Sequence, residues 1–174
     1  IVPFCPESEL SRVGNHDFHS AVWYRRKVVI PKAWTGRKVL LHFQAIDYDA
    51  TVWVDGIEVG RHRGGFSPFT CDVSGVAEPG ETVTLVVRAR DEHTRLQPRG
   101  KQAVSYSPSG VMYVRTTGIW QSVWLEPVPE VALRRPRLTP DLANSMIRLE
   151  QPITNNRPNL KLRVTVSDAL GEVV

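Results

Sequence analysis

An Asp55-Gly56 pair sits between two runs of alternating apolar residues in DATVWVDGIEVGRHRGGFSPF, residues 49–69, and no other feature restricts the fold as tightly. A two-residue type I′ loop needs positive φ at both central positions, which Asp-Gly adopts at little cost, so a β-hairpin is expected here. With Asp55 and Gly56 in the loop, Val54 faces Ile57, Trp53 faces Glu58 and Val52 faces Val59. Val52, Val54, Ile57 and Val59 then share the core side, and Thr51, Trp53, Glu58 and Gly60 share the other. The second strand leaves through Arg61-His62-Arg63-Gly64-Gly65. Trp53 and this loop are expected to form an exposed aromatic and basic surface.

Period-two alternation recurs on both sides of the hairpin. Residues 1–20 read as an irregular lead-in, and Ala21 to Ile30 reads as a strand with Val22, Tyr24, Val28 and Ile30 on one side. Val39, Leu41, Phe43 and Ala45 alternate with Lys38, Leu40, His42 and Gln44, which turns His42 away from the apolar face. Phe66 to Val73 is expected to be a short strand that Pro68 places at an edge or a bulge. Thr82 to Arg90 is the cleanest strand, with Val83, Leu85, Val87 and Ala89 facing in. Residues 91–112 hold no period and read as a long surface loop of the kind that often carries function. Ile119 to Glu126 reads as one strand with aromatic residues on its second face. Pro127-Val128-Pro129 is the expected domain boundary, followed by strands at Val131 to Thr139, Ser145 to Gln151 and Leu160 to Val166, with a further one starting at Gly171. No window shows a sustained helical period, so the chain is expected to be all-β.

The net charge of +4, from 22 basic and 18 acidic residues among 174, is spread rather than blocked, which argues against a nucleic-acid partner. No apolar run reaches the roughly 18 residues that a membrane span needs. Cys5 and Cys71 lack metal-ligand spacing; they could pair, but are expected to be buried free thiols. His16 and His19 read as loop histidines, and neither a metal nor a cofactor is implied. The chain opens on Ile1-Val2-Pro3-Phe4 without Met or a leader and is expected to be a piece of something longer. Its localisation is not readable, with the cytoplasm slightly favoured.

Glycosidic chemistry uses paired carboxylates across a cleft. Asp47 with Asp49 and Asp91 with Glu92 are the available pairs, and both read as solvated turn carboxylates. No nucleophile elbow or phosphate-cradling glycine loop is present. Arg99-Gly100-Lys101-Gln102 and His62-Arg63-Gly64-Gly65 place donors beside closely approachable backbone, which suits sugar hydroxyls or a neighbouring domain.

Taken together, VPFCPESELS, WYRRKVVIP, LLHFQAIDYDATVWVDG, GGFSPF, PRGKQ and TTGIWQSVWLEPV resemble, in this order, the N-terminal sugar-binding domain of glycoside hydrolase family 2. The resemblance implies an antiparallel jelly-roll, galactose-binding-like β-sandwich over residues 1–128, N-terminally incomplete, followed over 129–174 by the first strands of an immunoglobulin-like sandwich. It also implies a (β/α)8 barrel elsewhere, carrying two catalytic glutamates and a retaining mechanism, so no catalytic residue is expected in this chain. Members acting on galactosides or glucuronides carry an aspartate six residues before the Gly of the G-I pair, where this chain has Met112. The candidates for a substrate rim or a domain interface are Arg99, Lys101, Gln102, Met112, Arg115, His62, Arg63 and Trp53. The partners implied are a carbohydrate substrate, the barrel and possible further copies of the protein. The alternatives are an independent carbohydrate-binding module and a purely structural interaction domain.

Overall fold

The Asp55-Gly56 turn forms as its residue types require, with φ of 46° and 82°. It joins the strands Asp49–Val54 (β4) and Ile57–Arg63 (β5) of a computed structural model that describes residues 1–171. In chain order the other strands are Ala21–Val29 (β1), Lys38–Phe43 (β2), Ile46–Asp47 (β3), Phe69–Asp72 (β6), Thr82–Arg90 (β7), Gly118–Ile119 (β8), Val123–Val128 (β9), Arg137–Asp141 (β10) and Met146–Glu150 (β11). Two single-turn helices, Glu9–Ser11 and Lys32–Trp34, are the only helical elements among the described residues, and no helix is long and apolar enough to cross a membrane. The chain divides into two compact units, the first ending at Pro129 and the second starting at Glu130.

The first unit is an antiparallel β-sandwich. One sheet has the order β1-β7-β4-β5 and the other β6-β2-β9, with β3 and β8 paired separately. Alternation puts Ala50, Val52, Val54, Val83, Val87 and Ala89 on the inner side of the first sheet, and Val39, Leu41, Phe43 and Cys71 on that of the second. All ten are buried, and each fully buried Val, Leu or Phe side chain stabilises by about 1.5–3 kcal/mol relative to exposure. β1 and β9 are edge strands of their sheets. An opening of about 970 Å³ is lined from both sheets by Val28, Leu85, Leu41, Phe43, Val123 and Leu125, and along β1 also by Arg25, Arg26 and Lys27.

The hairpin differs from expectation in one respect. Val54 faces Ile57 and Trp53 faces Glu58, but Val52 faces Gly60, because a bulge inserts an extra residue between Val52 and Trp53's partners. An extra residue exchanges the faces of everything beyond it. Gly60 therefore lies on the core side, where an added Cβ would overlap the Cys71 thiol. Ile57, expected in the core, is 55% exposed, since it sits at the hairpin tip beyond the reach of the second sheet.

Four further segments depart from the sequence reading. Ile119 to Glu126 is not one strand: β8 pairs with β3 while β9 pairs with β2, with a break at Trp120-Gln121-Ser122. Phe66 to Phe69 enters the β6 strand only at its last residue. In the second unit β10 and β11 form an antiparallel hairpin, but β10 begins only at Arg137. Residues 160–166 keep a strand's alternation without a strand partner among the described residues, and Leu160, Leu162, Val164 and Val166 are exposed. A strand running on from Gly171 would fall on residues 172–174, outside the described residues.

Candidate functional site

Residues 91–117 leave β7 and return as β8, and the sequence marks them as loop by prolines, glycines and lost periodicity. The segment is irregular, yet it is not a loose surface loop. Four polar anchors pull it into the first unit.

At its start the Asp91 carboxylate is 4% exposed and accepts from Arg99 Nη1 at 3.2 Å and from the Gln97 amide. Arg99 also donates to the Glu92 carbonyl. The second anchor is Gln102, whose Nε2 donates to Asp47 Oδ2 at 2.7 Å while its Oε1 accepts from Thr116 N–H at 2.9 Å. Backbone bonds from Tyr113 to Lys101 and from Ala103 to Tyr113, each 2.8 Å, close residues 103–112 into a lobe. Arg115 is the third: it is 5% exposed, donates to Ser105 O at 2.8 Å and to His16 O, and lays its guanidinium 3.8 Å from the Phe18 ring centroid. The fourth is Thr117 N–H, which donates to Glu7 Oε2 at 3.2 Å.

Where the loop joins β8, glycine permits a close approach. Gly118 has φ of 78°, and an added Cβ would overlap the Tyr24 hydroxyl, which accepts from Ile119 N–H at 3.1 Å. Gly65 lies so near the Asp47 carboxyl that a Cβ would sit 2.6 Å from Oδ1, and its carbonyl accepts from Trp120 Nε1 at 2.9 Å.

Asp47 and Asp91 are therefore not the solvated turn carboxylates expected: Asp47 is 2% exposed. Each also has a different companion, since Asp47 couples to Asp91 and Glu7 rather than to Asp49. Burial pushes the Asp47 carboxyl up to about 6 against the Gln102 hydrogen bond, with Asp91 adding to the rise and Arg99 opposing it. Burial likewise raises Asp91 against the pull of Arg99, and takes Tyr24 up to about 12. Neither the opening between the sheets nor the smaller one beside Phe4 and His19 is lined by Asp47, Asp91 or Glu7. This geometry suits holding a loop rather than attacking a substrate. Among the described residues no three His, Cys, Asp or Glu side chains gather to hold a metal.

The structure brings Arg99, Gln102 and Arg115 together as internal supports of one loop, in which Met112 is half-buried and Lys101 exposed. Val104, Tyr106, Val111 and Tyr113 are also exposed there. His62 and Arg63 lie elsewhere, on β5. The His62 ring stacks 4.4 Å from Phe69 and its Nε2 meets Ser67 Oγ at 3.2 Å, while the Arg63 guanidinium lies over Tyr48. Trp53 is half-buried, stacked on Trp23. Glu7 and Tyr24 escape sequence reasoning because one sits in an aperiodic lead-in and the other in an ordinary strand alternation.

Residues 10–129 match the family described as glycosyl hydrolases family 2, sugar binding domain. A beta-glucuronidase of Paenibacillus borealis is 43% identical over 68 residues, 38% of this chain and 11% of that protein. A beta-galactosidase of Thermoanaerobacter pseudethanolicus is 31% identical over 112 residues, 63% of this chain and 14% of that protein. The crystal structure of Ruminococcus gnavus beta-glucuronidase superposes with a TM-score of 0.70 at 25% identity, covering 91% of this chain and 28% of that one. The chain thus spans a small part of the length of each protein it matches.

Proposed function

The chain belongs to glycosyl hydrolases family 2 through its sugar binding domain, and from that membership we propose that it is a non-catalytic part of a β-glycosidase, working beside a (β/α)8 barrel. In that setting two glutamates on the barrel hydrolyse the O-glycosyl bond with retention of configuration. The present chain supplies neither and is inactive alone. Its part is to shape the rim of the active site with residues 91–118. The unit from Glu130 onward opens the immunoglobulin-like sandwich that follows, and residues 160–166 supply one of its strands.

The observation that carries this reading is the contrast within the loop. Its backbone hangs on buried Asp91, Gln102, Arg115 and Glu7, while Lys101, Tyr106 and Tyr113 stay exposed at its surface. Preorganised loops presenting exposed side chains position a substrate without further ordering on binding. Lys101 has no carboxylate partner within 4 Å among the described residues, so its charge is available to a polar or acidic substrate.

The test uses the barrel-bearing protein and chromogenic glucuronides and galactosides. Lys101→Ala and Tyr113→Ala are expected to raise KM by roughly fivefold or more, equivalent to about 1 kcal/mol of lost binding, with kcat little changed. Unchanged kinetics in both variants would exclude the rim role.

A further inference from the structure

The outer face of the four-stranded sheet carries an aromatic and cationic track that the rim reading does not use. Cross-strand register places Trp23 beside Arg88 and Arg88 beside Thr51. The Trp23 and Trp53 rings meet above β7 as a stack, 5.7 Å apart and 18° from parallel. Arg88 lies about equally close to both rings, 5.8 and 5.9 Å from their centroids, and donates to Thr51 Oγ1 at 3.1 Å. Trp53 is thereby braced on one side of Trp23. Trp23 itself is 61% exposed, so its open area lies on the side turned away from Trp53.

Along the edge strand β1 the same outer face continues with Arg25 and Lys27, about 7 and about 13 Å beyond Trp23 at strand rise. Both are exposed, and neither has a carboxylate within 4 Å among the described residues. Their β7 neighbours are Val86 and Thr84, which carry no charge. The acidic side chains at the hairpin end are engaged: Glu58 forks onto Arg61 and Asp55 accepts from Thr84 N–H. The face therefore presents, in order, one rigid ring and two unneutralised cations at strand spacing.

We propose that this track binds a short acidic oligosaccharide lying along β1, one sugar ring packed on Trp23 and the carboxylates of the following residues on Arg25 and Lys27. A pyranose presents apolar C–H groups to an aromatic face, and an anionic sugar complements the two free cations. A neutral glycan would use only the ring, and an acidic protein surface would lack the flat apolar partner that Trp23 offers. The site uses none of residues 91–118, so it stands or falls separately from their rim role.

The test is Trp fluorescence of the 174-residue chain titrated with trigalacturonate and with maltotriose. Saturable change with the acidic trimer, at least about tenfold tighter than with the neutral one, is expected. It should fade as ionic strength approaches about 1 M, where the screening length is only about 3 Å. Trp23→Ala should abolish binding, read for that variant by calorimetry, and Arg25→Ala with Lys27→Ala should reduce it to the neutral level. All three side chains are exposed, and an unchanged far-UV spectrum would show that the fold persists. Equal affinity for the two trimers, no saturable binding, or undiminished binding by Trp23→Ala would overturn the proposal. So would selective capture of acidic peptides with no response to trigalacturonate.

Discussion

Asp47 and Gln102 are 55 positions apart and share a buried hydrogen bond of 2.7 Å. Through it a two-residue strand holds the middle of a 27-residue irregular segment, because the other end of the same amide receives Thr116 N–H. Neither group could reach water if the bond were removed, which sets the size of the consequences below.

Gln102→Leu removes the donor to Asp47 and the acceptor of Thr116 N–H together. A buried polar group left without a partner costs about 1–3 kcal/mol, so urea unfolding should report a loss of about 2–4 kcal/mol. A loss below about 0.5 kcal/mol, the range of ordinary surface substitutions, would show that the amide supports nothing.

The same bond shows what could be read from residues alone. The hairpin, its turn and the inward faces of β2, β4 and β7 are legible because alternation and Asp-Gly chemistry are local. Asp47 and Glu7 are not, because a carboxylate's burial depends on which distant chain folds over it, and residues 91–117 have no period to announce that they turn inward. Alternation alone puts Gly60 on the opposite face, because a bulge leaves no mark in a run such as Ile57-Glu58-Val59-Gly60.

Gly60→Ala tests that bulge. The new methyl group would overlap the buried Cys71 thiol, and overpacking of this kind costs about 1–3 kcal/mol. Adding Cys71→Ala opens the space, so the double variant should be more stable than the sum of the two single losses implies, a coupling of about 0.5–3 kcal/mol in a double-mutant cycle. Strict additivity would place Gly60 away from Cys71.

The raised Asp47 carboxyl links stability to pH with a definite sign. Its ordinary value is 3.8 and its folded value about 6, so the folded chain holds this proton more tightly than the unfolded chain. The contribution is fully present below about pH 3.8 and is lost as pH rises through 6, a change of up to about 3 kcal/mol. Asp91 shifts in the same direction. Unfolding free energies measured between about pH 4 and pH 7 should therefore fall less steeply in Asp47→Asn than in the parent. Identical pH profiles would contradict the burial assigned to Asp47.

Cys71 is buried and its thiol is pushed up to about 11 by desolvation, whereas Cys5 is partly exposed. A thiol reagent at neutral pH should label Cys5 slowly and leave Cys71 unlabelled until the chain is denatured. Rapid modification of both would mean that the sandwich opens at β6.

In the role proposed here this chain frames a glycosidase site without supplying its chemistry. The most direct measurement is turnover of chromogenic glucuronides and galactosides by the 174-residue chain, set beside the polypeptide encoded by the same reading frame continued past Val174. The expected result is no turnover by the chain and retaining hydrolysis by the continued polypeptide. Turnover by the chain alone, or a continuation that hydrolyses no glycoside, would contradict it.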